Sequence, residues 1–336
     1  MTSLSFWATN GLTPMADGWR FLSALRQSMG PVFGTLLGAL LAVWGAVSLV
    51  FIATRMIGDP TALLLPVGAG AEQLAALRQA LGLDRPLGVQ YLAYLSEALR
   101  GDFGQSFQHG RPAMELVLER LPATALLAAA ALGLGVGLGL AAGVTAALSP
   151  HPRVRAGVMA LSSLGQATPA FWLGVMLIMV FSVQLGWTPT GGRGGPEHLI
   201  LPAATLALPI AAGVARLLRA SLVEVLKEDH VRTARAKGLK PATIAVWHVL
   251  RNGLTPVLTL TGILAGELLG GAVVIETVFA WPGVGRLLIQ SISARDFPVV
   301  QAAVLVIAVV YVVVNLLVDL LYARLDPRVR HDGATR

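Results

Sequence analysis

Cysteine is absent from all 336 residues, so a disulfide framework, a thiol nucleophile and a thiolate metal site are excluded. Charge is scarce. Only 13% of side chains are Asp, Glu, Lys or Arg, against roughly 25% in a soluble domain, while 55% are hydrophobic and the mean hydropathy is +0.71. Lysine occurs only at Lys227, Lys237 and Lys240, after Leu226, Ala236 and Leu239. The Gly-Lys-Ser/Thr step of a phosphate-cradling loop is therefore missing, and the chain holds no ATP or magnesium site of that kind. The histidines (His109, His151, His198, His230, His248 and His331) include no pair three or four apart, so no helical metal site is evident. No nucleophile clusters with a base, which disfavours an intramembrane enzyme. What the chain does have is long apolar runs, the mark of an all-α polytopic membrane protein.

Crossing about 30 Å of hydrocarbon takes about 20 apolar residues. Six stretches qualify: 32–53, 123–148, 158–185, 199–222, 254–279 and 299–321. The fourth is weakened by Pro202, Pro209, Arg216 and Arg219, and the fifth contains Glu267 and Glu276. This divides the chain into a polar lead-in (1–31), a single transmembrane domain (32–322) and a tail (323–336). With both termini in the cytoplasm, the inner segments collect Arg153, Arg155, the dense run from Arg216 to Arg251 and every lysine. In the outer loop 54–122, arginines are offset by acidic residues. The positive-inside rule favours this orientation. It also accounts for the net charge of +7 through anionic lipid rather than nucleic acid. The first apolar run starts too late for a cleaved signal peptide and reads as a retained span.

The outer loop carries two helical patterns, 72–81, stopped by Gly82, and 89–99. They form a small cap, either a lid over the bundle or a docking face for an external partner. On the inner side, the loop 223–252 reads as helix, turn, helix. Val231 to Lys237 extend or restart the helix leaving the fourth span, Gly238 stops it, and Pro241 opens a second helix over 242–250. Ala234 and Gly238, four apart, share a face of small residues that lets another surface come close, and Arg232 and Arg235 flank it.

Glu267 lies near the middle of the fifth span, where a carboxylate costs about 2.5–3.5 kcal/mol on insertion scales. It reads as lining a path or gate, with a buried structural hydrogen bond or a protonated bystander as alternatives. Glu276, near the outer interface, either braces the turn through Trp281, Pro282 and Gly283 or touches solute. Arg216 and Arg219 snorkel to headgroups or form a gate ion pair with Glu224. In LGLGVGLGL, Gly133 and Gly137 share one face and Gly135 and Gly139 another, as close helix packing requires. Trp172, Trp187 and Trp281 fit interfacial belts or packing.

RTARAKGL at 232–239, followed at fixed spacing by HVLRNGLTPVLT, resembles the coupling loop of permease subunits of binding-protein-dependent ABC importers. The general pattern there has a glutamate and a final proline that this chain lacks. The form RTARAKG is that of the dipeptide, oligopeptide and nickel branch. IGDPTALLL (57–65), RGDFGQSF (100–107), ERLPATALL (119–127), TPAFWLGVML (168–177), GAVVIETVFAWPGVGRLL (271–288), RDFPVVQ (295–301) and VNLLVDLLYARLDPRVR (314–330) resemble the same branch in order and spacing. The long outer loop and LDPR further resemble the first of its two permease subunits.

The resemblance implies a six-span permease of the bacterial or archaeal inner membrane with no catalytic residue of its own. It would form half of a path with a second homologous permease, and an extracytoplasmic binding protein would deliver the solute. Two ATPase subunits would bind ATP and magnesium, and a cleft on one of them would receive this chain's loop with Arg232, Thr233, Ala234, Arg235, Lys237 and Gly238. Relatives carry dipeptides, longer peptides, nickel chelates, glutathione and opines. An ion-coupled secondary transporter is the rival reading; it requires a coupling site and usually an internal repeat, and no second copy of either half is visible.

Overall fold

The computed structural model describes residues 37–56, 70–80 and 82–325. The lead-in 1–31, the stretch 57–65 and the tail after residue 325 lie outside the described residues. Those described are helical, apart from connecting turns and one isolated bridge between Gln105 and Pro112. In chain order the helices are α1 (Leu37–Met56), α2 (Ala71–Ala80), α3 (Leu87–Arg100), α4 (Ala113–Leu148), α5 (Pro152–Ala167) and α6 (Ala170–Gln184). They continue with α7 (Glu197–Val225), α8 (Asp229–Ala236), α9 (241–253), α10 (Thr255–Val278), α11 (Val284–Ser293) and α12 (Phe297–Leu325). The later part of α6, Ile178–Gln184, and the middle of α9, Ile244–Leu250, widen into π-helical turns.

Four helices, α1, α4, α7 and α12, are each long and apolar enough to cross a membrane. The count becomes six if two bent pairs each make one crossing. The expected run 158–185 is not straight: α5 and α6 meet at 106°. The cause is local. Pro169 lacks an N–H and its ring disfavours the helical region for the preceding residue, so Thr168 is extended at φ −85°, ψ 124°. The other bent pair lies within α10, where Thr255–Leu268 and Gly270–Val278 differ by 54° in direction. Pro202 and Pro209, by contrast, do not end α7, which runs unbroken through both.

The centre of the bundle is the pair α4 and α7, which run parallel. Gly135, Gly139 and Gly143 follow one face of α4 against Ile210, Val214 and Leu218 of α7. At Gly139 a Cβ would sit 2.6 Å from Val214 Cβ and 2.9 Å from the Ala211 carbonyl, so only glycine lets the backbones come this close. The second glycine face behaves differently: Gly133 and Gly137 have nothing within 4 Å of a built Cβ, and Leu134 and Leu138 beside them are exposed.

Two apolar clusters follow from this layout. One joins α4, α7 and α10 to α8 and α9 through Leu127, Leu218, Val231, Ile244, Val249 and Ile275. The other joins α1, α3, α11 and α12 through Phe51, Tyr94, Leu287 and Val299. The cap is therefore not a lid standing clear of the bundle. Helix α3 lies along the later half of α1, where Tyr94 stacks on Phe51 at 5.4 Å and Tyr91 Oη is 2.6 Å from Ser48 Oγ. Burial, with the neighbouring Tyr91, pushes the Tyr94 phenol up to about 12.

Candidate functional site

The α8–α9 element is built from its buried side outward. Val231 and Ala234, three apart on α8, are both enclosed and share a core with Ile244 and Val249 of α9 and Leu218 and Leu222 of α7. Helix α8 ends in a glycine stop. The N–H of Gly238 donates to Arg235 O at 2.9 Å, that of Leu239 reaches back to Ala234 O at 3.3 Å, and Gly238 has φ +73°. Opposite the stop, Asn252 Nδ2 donates to His248 O at 2.9 Å. His230 lies 3.2 Å from the same carbonyl through Nε2 and 3.0 Å from Glu228 through Nδ1. Through His230 these contacts tie the first turn of α8 to the later part of α9.

Of the residues expected to act together here, Arg232, Thr233, Arg235, Lys237 and Gly238 are exposed. Ala234 is not: it is 4% exposed and faces the chain's own core. Ala234 is thus not available to a partner, whereas Gly238, past the end of α8, remains exposed. Alanine at 234 lets α8 seat on α9, and what remains exposed is a cationic surface with Leu239, Val246 and Trp247 nearby in the chain. Arg232 is paired with Asp229 at 3.1 Å, but both are so open to water that the pair contributes little.

At the other end, the turn between α10 and α11 closes around Glu276. Its carboxylate is fully buried, with Oε1 accepting from the Thr124 hydroxyl at 2.6 Å and Oε2 from the Arg286 N–H at 3.0 Å. The Val284 N–H donates to Thr124 Oγ1 at 2.9 Å, and Trp281 Nε1 donates to Ala123 O at 2.9 Å. Glu276 and Thr124 therefore satisfy two of the amide groups that open α11, a position where negative charge is favoured. This geometry is that of a brace for the turn, with no carboxylate oxygen left facing open space.

A second brace holds the cap. Asp296 is fully buried ahead of α12 and accepts from the Ser106 hydroxyl and from the N–H of Phe107 at 3.0 Å. Neither Asp296 nor Thr124 stood out in the sequence. Both are short polar residues whose partners lie 152 or more positions away. Their only signal is that ERLPATALL and RDFPVVQ are among the stretches carrying the family resemblance.

Glu267 is exposed and lies on a cavity of about 400 Å³ between α1, α10 and α12, with Ala42, Ala46 and Tyr311. No hydrogen bond or ion pair among the described residues holds its carboxylate. Among the described residues no ion pair joins Arg216 or Arg219 to Glu224. Arg219 Nε is enclosed without a hydrogen-bond partner. Trp281 is buried, whereas Trp172 and Trp187 are exposed.

A family model described as "Binding-protein-dependent transport system inner membrane component" matches residues 118–331, and the corresponding N-terminal model matches 33–128. The glutathione transport system permease protein GsiC of Escherichia coli (strain K12) is 42% identical over 301 residues, covering 89% of this chain and 98% of the relative. The protein of the same name from Salmonella choleraesuis (strain SC-B67) matches to the same extent. Among solved structures, an amino acid ABC transporter crystallised with histidines superposes with TM-score 0.52 at 20% identity, over 63% of this chain and 94% of that one. An inward-facing MetNI methionine ABC transporter gives TM-score 0.54 at 19% identity, over 63% and 97%.

Proposed function

This chain belongs to the family of binding-protein-dependent transport system inner membrane components and is an ABC importer permease rather than an enzyme; from that premise we propose how its parts divide the work. It crosses the inner membrane six times with both termini in the cytoplasm and forms half of the translocation path beside a second homologous permease. Two ATPase subunits bind ATP and magnesium, one of them docking on the α8–α9 element of this chain and the other on the second permease, while a binding protein delivers solute to the outer face. Membership of an ABC importer family leaves the ion-coupled rival without support.

One observation carries the coupling role. Helix α8 is anchored on one side and bare on the other: Val231 and Ala234 enter the core shared by α7 and α10, while Arg235, and Lys237 just past its end, are exposed with no anionic partner among the described residues. A push on the exposed face is then delivered to α7 and α10 instead of being absorbed by a flexible loop. Cations around a helix end suit charge-assisted contacts at the rim of a cleft. Glu267, exposed on α10, faces the path or gate in this scheme, because a carboxylate in a span needs water or a partner.

For the solute, the name of the GsiC relatives favours a short peptide of the glutathione kind. The test is to purify the complex through a tag on this chain, identify the binding protein that co-elutes, and measure which of glutathione, dipeptides and nickel chelates raises its melting temperature. Uptake of that solute into vesicles must require ATP and the ATPase subunits. Uptake that persists without them overturns the reading.

A further inference from the structure

Helices α1, α10 and α12 leave a groove open between them. Two cavities, of about 440 and 400 Å³, share Ala42 and Tyr311 and so continue one into the other. Small residues four apart line it: Gly38, Ala42 and Ala46 on α1, Gly266 and Gly270 on α10. The α1 row follows one helix face for about 12 Å. Packing within the chain uses only part of these rows. At Gly266 a Cβ would lie 3.0 Å from Asn315 Oδ1, whereas Gly38 and Gly270 have nothing within 4 Å. The unused small residues leave room for another helix to approach, as Gly139 does between α4 and α7.

The charge in the groove has one sign. Glu267 is the one charged residue around the 400 Å³ cavity, where Tyr311 is the other polar side chain and the rest of the wall is apolar. Asn315 and Asp319 line the neighbouring cavity, and no cation lines either. Walls this apolar suit a helix better than a watery solute path. A carboxylate set among them calls for a cation on whatever fills the groove.

A second copy of this chain cannot supply that cation. Five of the six apolar runs contain no Lys or Arg, and the run 199–222 has only Arg216 and Arg219, toward its end. Helices α7 and α10 run antiparallel, since a Cβ built at Gly213 meets Leu260 and one at Gly271 meets Leu206, both at 3.8 Å. This puts Glu267 level with Leu208, and Arg216 roughly 12 Å further along the axis. Copies related by rotation about the membrane normal bring equal depths together, so neither glutamate would find a cation. We propose that the groove seats a transmembrane helix of the second permease carrying a Lys or Arg opposite Glu267, and that this pair selects the unlike partner over a second copy. The inference rests on the two-permease reading above and names the residue that enforces it. One polar group in an apolar helix interface sets partner choice in this way.

The test uses the purified complex in lipid nanodiscs. Ala42→Cys carries the only thiol in this chain, is labelled with a maleimide benzophenone and is illuminated; an adduct with the second permease is expected. A label that reaches lipid alone, or nothing, overturns the proposal. Two differently tagged copies of this chain are then expressed together with its partners. The unaltered chain should recover the second permease and almost none of its other copy. Glu267→Gln should raise recovery of the other copy at least tenfold without moving the melting temperature, while Glu267→Asp, which keeps the charge, and Glu72→Gln in the outer cap leave it low. A Glu267→Gln chain as selective as the parent overturns the proposal. These readouts need no ATP-driven uptake, whose failure would contradict the importer reading instead.

Discussion

The hydroxyl of Thr124 on α4 stands 2.6 Å from Oε1 of Glu276 on α10, and the same hydroxyl oxygen receives the N–H of Val284 at 2.9 Å. A helix more than 150 positions earlier in the chain thus meets the consecutive α10 and α11 on one side-chain oxygen. Replacing Glu276 with Ala strands the Thr124 hydroxyl and the Arg286 N–H, a loss of roughly 2–4 kcal/mol. Thr124→Val should cost about 1–2 kcal/mol by leaving the Val284 amide unmade. Because the two share partners, the double variant should fall short of the sum by at least about 0.5 kcal/mol. Thermal melting of the four proteins in detergent checks this; strict additivity contradicts the shared brace.

The α4–α7 contact makes a matched pair of alanine substitutions informative. Gly139→Ala places a methyl 2.6 Å from Val214 Cβ, so the helices must separate, at about 1–3 kcal/mol. Gly137→Ala, two residues away with nothing within 4 Å, should be neutral in the isolated subunit. Melting temperatures separate the two outcomes, and equal effects would refute the assigned packing face.

Much of this architecture was legible in the sequence, and the gaps have physical causes. Apolar length located the spans, yet α4 begins at Ala113, ten positions before the apolar run, because hydropathy stops at charged Glu115 and Glu119 while the helix does not. The bend at Thr168 was written in TPAF, but a run of apolar residues on both sides of a proline reads as one crossing when only hydropathy is followed. Helical spacing put Ala234 and Gly238 on one face, but α8 ends at Ala236, so Gly238 lies past the helix and is exposed while Ala234 faces the core. Ala234 does so because Val231, three residues earlier, turns the same side of α8 toward α9. Thr124 and Asp296 escaped notice because a polar residue near a helix start becomes a brace only when a distant chain segment arrives beside it.

Tyr94 predicts an alkaline transition in the cap. Its folded pKa is raised from 10.0 to about 12, so the native state holds its proton more tightly than the unfolded chain. The associated stability is complete below pH 10, falls as pH rises above that value, and is gone above about 12. Two units correspond to roughly 3 kcal/mol. Denaturation followed across this range should show the loss, and Tyr94→Phe, which cannot ionise, should remove that part of it. An unchanged profile in the variant rules Tyr94 out as the source.

The central claim is that the exposed side of α8 meets an ATPase on the cytoplasmic side. The absence of native cysteine allows Arg235→Cys to carry the only thiol in this chain, labelled with a maleimide benzophenone and illuminated in the purified complex. Leu99→Cys on α3, 90% exposed in the outer cap, provides the comparison. The account predicts a cross-link to an ATPase subunit from position 235 and none from position 99; no ATPase adduct from 235, or an equal yield from both, contradicts it.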